Sequence, residues 1–296
     1  MVKTWPVSIG TVIYRGYDLK TTFQSLSKLG IKYVDLDWIR PPSTGFRGEG
    51  YGVHINEENY TKAREIRRMM EDYGLESISF SGHMFLITEK DLDLFYKKME
   101  FAKNIGAQYI ATVEGPKSEE QRFLSNLERI EKRAEELGIV VCLETGMPGD
   151  IIQNADDAQR ILKKVNSPYL GLSYDFGNAY YANRGKINFL DELSKALPFT
   201  KLLHFKDVKV EKGGGELIII SNCIPGQGVI DFEAICQFLT QRNEILPITI
   251  EATYFCESKN WEPFEIKDYT KPLEEVEAMI KEAVGFLERN LNPDKI

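Results

Sequence analysis

Short runs rich in β-branched and aromatic residues alternate along the chain with amphipathic stretches of helical period. The strand-like runs are "VSIGTVI" (7–13), "YVDLDW" (33–38), "SISFSGH" (77–83), "YIATVEG" (109–115), "VVCLETG" (140–146), "LGLSYDFG" (170–177), "LLHFKD" (202–207) and "ITIEATY" (248–254). Helical periodicity covers 57–73, 89–104, 118–137, 154–165, 188–197, 231–242 and 272–290. Leu29-Gly30, Tyr73-Gly74 and Leu137-Gly138 each place a glycine just past a helix, where a left-handed residue stops the last turn. Strand starts recur at steps near 30 residues, the length of one β-loop-α unit. Two longer steps hold insertions, one at about 40–56 and one at 209–228. The second reads as a β-hairpin turning at Gly213-Gly214-Gly215. Eight strands in strict alternation with helices predict one domain over 1–296, a closed (β/α)8 barrel. A doubly wound open sheet is the alternative, but "IGTVIYRG" is no Gly-rich phosphate loop.

Active sites of such barrels lie at the C-terminal ends of the strands, so the last residues of each strand carry the functional information. Strands five to eight end in Glu144, Asp175, His204 and Glu251. The period of two puts Cys142 below Glu144, Ser173 below Asp175, Leu202 below His204 and Thr249 below Glu251, all pointing inward. Their neighbours on the other face, such as Val141, Leu143, Leu203 and Ile250, are apolar and suit the helix layer. Adjacent strands lie about 4.8 Å apart, so the four tips can converge on one point. Three crowded carboxylates repel, and a divalent cation removes that repulsion. Three oxygen ligands with one imidazole suit Mn²⁺, Mg²⁺ or Co²⁺, and Zn²⁺ also fits. Any one of these residues alone would read as a solvated or ion-paired loop residue. Four in succession on the correct face favour a metal site.

Composition narrows the partners. Lys plus Arg number 37 against 45 Asp plus Glu, for a net charge of −8, with no basic stripe of the kind nucleic-acid binding needs. No apolar run approaches the length of a membrane span. The four cysteines form no CxxC pair and read as reduced thiols of a cytoplasmic protein. A small-molecule substrate is the expected partner, and a homo-oligomer is compatible with the sequence.

The segments "VVCLETG", "LSYDFGNA", "LLHFKDV", "PGQGVIDF" and "ITIEATY" resemble the strand-five to strand-eight signatures of the xylose isomerase-like TIM-barrel family. That family includes ketose 3-epimerases, inosose dehydratases and hydroxypyruvate isomerases. The resemblance covers nearly the whole chain and implies one divalent metal ion held by Glu144, Asp175, His204 and Glu251. It also implies that Glu144 and Glu251 move protons. Asn178 stands where ketose 3-epimerases often carry histidine, and "GQG" at 226–228 where "GEG" is common. Lys206 and Asp207, in "HFKDV", look more like the dehydratase branch.

The expected activity is isomerisation or epimerisation of a sugar or polyol, begun by proton abstraction beside a carbonyl and passing through an enediolate. An inosose- or dehydroshikimate-type dehydration on the same site is the alternative. His83, Lys206, Asn178, Glu114 and Trp38 are candidate substrate contacts, with Glu114 placed on the inward face beside Thr112. Tyr14 and Phe85 are aromatics near strand ends, and His54 reads as a loop residue of the first insertion. Three rivals weigh less. An apurinic-site endonuclease needs a histidine-rich three-metal cluster, and the chain has three histidines in all. A glycosidase would use Glu144 and Glu251 without metal, and a non-catalytic sugar-binding protein would have no use for the ligand quartet.

Overall fold

The computed structural model describes residues 5–38, 54–56, 59–242 and 245–292. Most of the insertion expected at 40–56 lies outside them. Eight parallel strands close the barrel: β1 (Val7–Gly10), β2 (Tyr33–Asp37), β3 (Ser79–Ser81), β4 (Tyr109–Thr112), β5 (Val140–Glu144), β6 (Leu170–Asp175), β7 (Thr200–Phe205) and, further on, β10 (Ile248–Ile250). β10 lies between β7 and β1 and closes the ring, with Thr249 opposite His204 on one side and Ser8 on the other. The helices between them are α1 (Leu19–Lys28), α2 (Ala63–Asp72), α3 (Glu89–Ile105), α4 (Glu120–Leu137), α5 (Ala155–Val165), α6 (Phe176–Ala182), α7 (Phe189–Ala196), α8 (Phe232–Thr240) and α9 (Leu273–Leu291). Caps mark several starts: Asp18, Asn154, Asn188 and Asp231 accept backbone N–H bonds, and Thr88 with Asp91 forms a reciprocal capping box. Among the described residues no helix is long and apolar enough to cross a membrane.

Several strands end sooner than the apolar runs suggest. Val7–Gly10 gives way to a 3₁₀ turn at Thr11–Tyr14, where Thr11 bonds Asp37 across to the next strand. The run 170–177 stops at Asp175, whose side chain accepts the Asn178 N–H at 2.8 Å and so starts α6. The hairpin over the barrel mouth forms as expected, with β8 (Asp207–Lys212) antiparallel to β9 (Ile218–Cys223). It is half of a larger sheet: β11 (Cys256–Lys259) pairs with β9, and β12 (Glu265–Ile266) with β11.

The barrel interior has two halves. Ala111, Cys142 and Leu202 form a small apolar cluster under β4, β5 and β7. Opposite, Ser8, Thr249 and Ser79 link through hydroxyl contacts of 3.1 and 3.3 Å, and Asp35 is fully buried. The large apolar core lies between the strands and the helices.

Candidate active site

The inward residues at the C-terminal ends of β5, β6, β7 and β10 meet around one imidazole. Nδ1 of His204 lies 3.2 Å from Glu144 Oε2, 3.3 Å from Glu251 Oε2 and 3.9 Å from Asp175 Oδ2. His204 and Asp175 are 0% exposed, Glu144 3% and Glu251 9%. Despite the short distances, Oε2 of each glutamate and both ring nitrogens of His204 are buried without a hydrogen bond. Buried oxygen and nitrogen donors turned on one point are what a divalent cation satisfies. Glu144, His204 and Glu251 therefore fit a divalent metal, whereas Asp175, paired with Lys206 at 2.8 Å, is not among the donor atoms that fall within 4.8 Å of one another.

Three further expected residues join this centre. Nε2 of His83 lies 3.6 Å from Glu144 Oε2, and donor atoms of His83, Glu144, His204 and Glu251 all fall within 4.8 Å of one another. Asn178 donates its side-chain amide to Glu144 Oε1 at 2.9 Å. Nζ of Lys206 lies 2.8 Å from Asp175 Oδ2 and 3.2 Å from Glu251 Oε1. A side chain on Gly177 would place Cβ 2.8 Å from Lys206 Cγ and 3.0 Å from its backbone oxygen, so glycine lets α6 lie against this lysine.

The electrostatics follow from burial against charge. Burial raises the Asp175 carboxyl to about 7, although Lys206 opposes it. Burial would also neutralise Lys206, but Asp175, Glu251 and Glu144 hold its ammonium well above the ordinary lysine value. Burial pushes Glu144 and Glu251 up as well. His83 and His204 outweigh it at Glu144, Lys206 and His204 outweigh it at Glu251, and both stay below the usual range.

Other expected residues fall elsewhere. Ala111 packs in the barrel interior with Cys142 and Leu202, so the inward face of β4 continues to Val113. Thr112 and Glu114 occupy the opposite face. Glu114 is fully buried outside the lining of the cavity, and desolvation with Asp150 nearby raises its carboxyl well above the ordinary value. Trp38 is 1% exposed and stacks on Tyr60, with centroids 5.3 Å apart and Phe101 at its edge, away from the cavity. Alternation explains it: Val34, Leu36 and Trp38 share the helix-facing side of β2. Tyr14 is buried and bonds Ser25. His54 is buried too, with Nδ1 3.6 Å from Asp37. Asp207 does structural work: its carboxylate accepts backbone N–H groups of Val208, Gly226, Gly228 and Ile230 at 2.7–3.1 Å, which fixes the "PGQG" loop.

Above the centre opens a cavity of about 680 Å³. Lys206, His83, Asn178, Glu144 and Glu251 line its polar part. Phe85, Tyr181, Asn222, Thr253, Trp261 and Phe264 also line it, and all but Phe85 escaped the sequence reading. For Trp261 a signal existed: an aromatic in the polar, turn-like "SKNWEP" is rarely left without a purpose.

Comparison with known proteins agrees with this architecture. The sequence model of the xylose isomerase-like TIM barrel matches residues 23–289. Inosose dehydratase of Serratia proteamaculans is 30% identical over 184 residues, 53% of this chain and 61% of that protein. Inosose dehydratase of Yersinia enterocolitica is 28% identical over 181 residues, 52% of this chain and 60% of that protein. The match thus spans about 60% of the length of these curated relatives. Among solved structures, an IolI protein with a bound zinc atom superposes with a TM-score of 0.71 at 17% identity, covering 96% of this chain and 99% of the other. D-psicose 3-epimerase in the presence of D-fructose gives 0.71 at 14%, covering 97% and 99%. A probable 3-DHS dehydratase of Bacillus anthracis gives 0.64 at 15%, covering 95% and 98%. With the closed barrel and the match over most of its length, the chain belongs to the xylose isomerase-like TIM-barrel family.

Proposed function

We propose that this chain is a divalent-metal-dependent lyase that removes water from a small keto-cyclitol of the inosose class or a closely related keto-sugar. The observation that carries the reading is the buried Lys206 ammonium, within 2.8 Å of Asp175 and 3.2 Å of Glu251 at the floor of the cavity. Dehydration beside a carbonyl needs a base for the carbon-bound proton and a separate donor for the departing hydroxyl. A symmetric two-base epimerase has no such need for a fixed cation. The inosose dehydratase relatives support the same choice over the isomerase or epimerase activity that the sequence put first.

Glu144, His204 and Glu251 would hold the ion, with His83 and Asp175 beside them. Mn²⁺, Mg²⁺, Co²⁺ or Zn²⁺ at these donors would polarise the substrate carbonyl and acidify the neighbouring C–H. Asn178 donates to Oε1 of Glu144 and so orients this carboxylate, which takes the carbon-bound proton. Lys206 donates to the oxygen that leaves. One proton passes from carbon to carboxylate and one reaches the departing hydroxyl, so the products are an unsaturated ketone and water. His83 contacts the substrate from the β3 side.

Epimerisation remains the second reading, because Glu144 and Glu251 stand almost equally far from the same ring nitrogen. Incubation of the metal-loaded protein with inosose and with D-fructose in deuterated water separates the two. Conjugated-ketone absorbance and loss of one water from inosose are expected. Deuterium entering the carbon of either sugar with no loss of water would replace the lyase by an epimerase or isomerase.

A further inference from the structure

The cavity is larger and more apolar than a lone polyol ring requires. Its volume of about 680 Å³ lies in the range that encloses drug-sized ligands. Away from the polar floor it is walled by Phe85, Met147, Trp261, Phe264 and Ile266. The wall also offers no free cation for an anionic group. Among the described lining residues, Lys206 lies at the floor beside Asp175 and Glu251, not on the wall, and Arg122 is paired with Glu119 at 3.0 Å.

Trp261 is held there at a conformational cost. Asn260 and Trp261 have φ of 52° and 64°, and the Glu262 N–H bonds the Lys259 carbonyl at 2.9 Å. This is the hydrogen-bonded turn with two left-handed central residues in which glycine is preferred at the second. A tryptophan in its place is strained, and strain of this kind clusters at ligand clamps. The surroundings force the arrangement. Tyr181 donates to the carbonyls of Trp261 (3.0 Å) and Glu262, Ser258 donates to Glu262, and Asn260 exchanges two bonds of 2.8 Å with Ile218. The indole packs at 5.9 Å from both Tyr180 and Tyr181, while Phe264 lies 4.6 Å from Tyr181.

We infer that the substrate is a keto-sugar carrying a neutral, apolar, planar substituent, such as an aryl glycoside, whose ring lies against Trp261 while the sugar reaches the Glu144–Lys206 floor. This rests on the proposed reading of the floor as the site of proton abstraction, and it names the substrate class that the upper cavity selects. Phenyl β-D-glucopyranoside and methyl β-D-glucopyranoside share the sugar and differ in the substituent, so they serve as unreactive probes. Calorimetric titration of the zinc-loaded protein is expected to show the phenyl glycoside binding about tenfold more tightly. Trp261→Gly relieves the strained turn but loses the indole's packing on Tyr180 and Tyr181, so it is expected to fold, to melt somewhat below the parent and to bind both probes equally. Equal binding of the probes by the parent would overturn the inference. So would no binding of the phenyl probe at millimolar concentration, or a Trp261→Gly variant that keeps the preference. If neither inosose nor a phenyl keto-glucoside loses water but the phenyl preference and its loss in Trp261→Gly are observed, the lyase reading fails and the aryl subsite stands.

Discussion

Lys98 of α3 offers the sharpest test of how the active-site rim is built. It is fully buried, and its ammonium donates to the carbonyls of Trp38, Gly82 (3.1 Å) and His83 (3.2 Å), at the ends of β2 and β3. It also lies 5.3 Å from the Trp38 ring centroid. Lys98→Met keeps the stem and deletes the charge. Three charge-assisted bonds at about 1.5 kcal/mol each amount to about 4.5 kcal/mol. Freedom from burying an ammonium returns part, leaving a net loss of about 3 kcal/mol. With an unfolding entropy of about 0.6 kcal/mol per degree for a chain of this length, the melting temperature should fall by about 5 °C. The segment carrying His83 is loosened too, so turnover should drop more than folded yield. Differential scanning calorimetry and activity on the same preparation measure both. A melting temperature within about 1 °C of the parent would refute the reasoning that this lysine ties β2 and β3 together.

Three further outcomes follow from the same contacts. Gly177→Ala drives Cβ into Lys206, so stability should fall by about 1–3 kcal/mol, with a larger loss of turnover, read by denaturant melts and rate assays. Asp35 is fully buried, and burial raises its carboxyl from 3.8 to about 6, with His204, Ser79 and Ser81 opposing. Because the folded value is the higher one, its contribution is complete below about pH 4 and is lost as pH rises through about 6. Asp35→Asn should therefore leave melting unchanged near pH 4 and stabilise the protein by up to about 3 kcal/mol at pH 8, as melts at the two pH values would show. Asp207→Ala leaves four backbone N–H groups of the 208–230 segment without their acceptor. It should raise the susceptibility of that segment to limited proteolysis.

The sequence made the barrel and its centre legible for a definite reason. Glu144 and Asp175 end β5 and β6, His204 is the last but one residue of β7, Glu251 follows β10, and the period of two assigns all four to one face. What escaped lacked a periodic signal. Helix α6 is seven residues long and starts directly from the strand-six cap, so "FGNAYYA" reads as more strand. Strands β11 and β12 are four and two residues long and are defined by pairing, β11 with β9 and β12 with β11, which no local pattern announces. Face parity separates two candidate contacts from the cavity, Glu114, read as inward-facing, and Trp38. Trp38 sits in phase with Val34 and Leu36, and Glu114 with Ile110, so both side chains leave the barrel interior for the opposite side of their strands. The dominance of Lys206 is tertiary: its value as a donor depends on Asp175 and Glu251, which are distant in sequence.

The proposed chemistry rests on a divalent metal centre at the strand ends. Elemental analysis of the purified protein and of His204→Ala, each after equilibration with a mixture of Mn²⁺, Mg²⁺, Co²⁺ and Zn²⁺ and then desalting, tests it most directly. One divalent ion per chain is expected in the parent and a large loss in the variant, because Glu144 and Glu251 both converge on the ring that is removed. The same metal content in both proteins, or none in the parent, would contradict it.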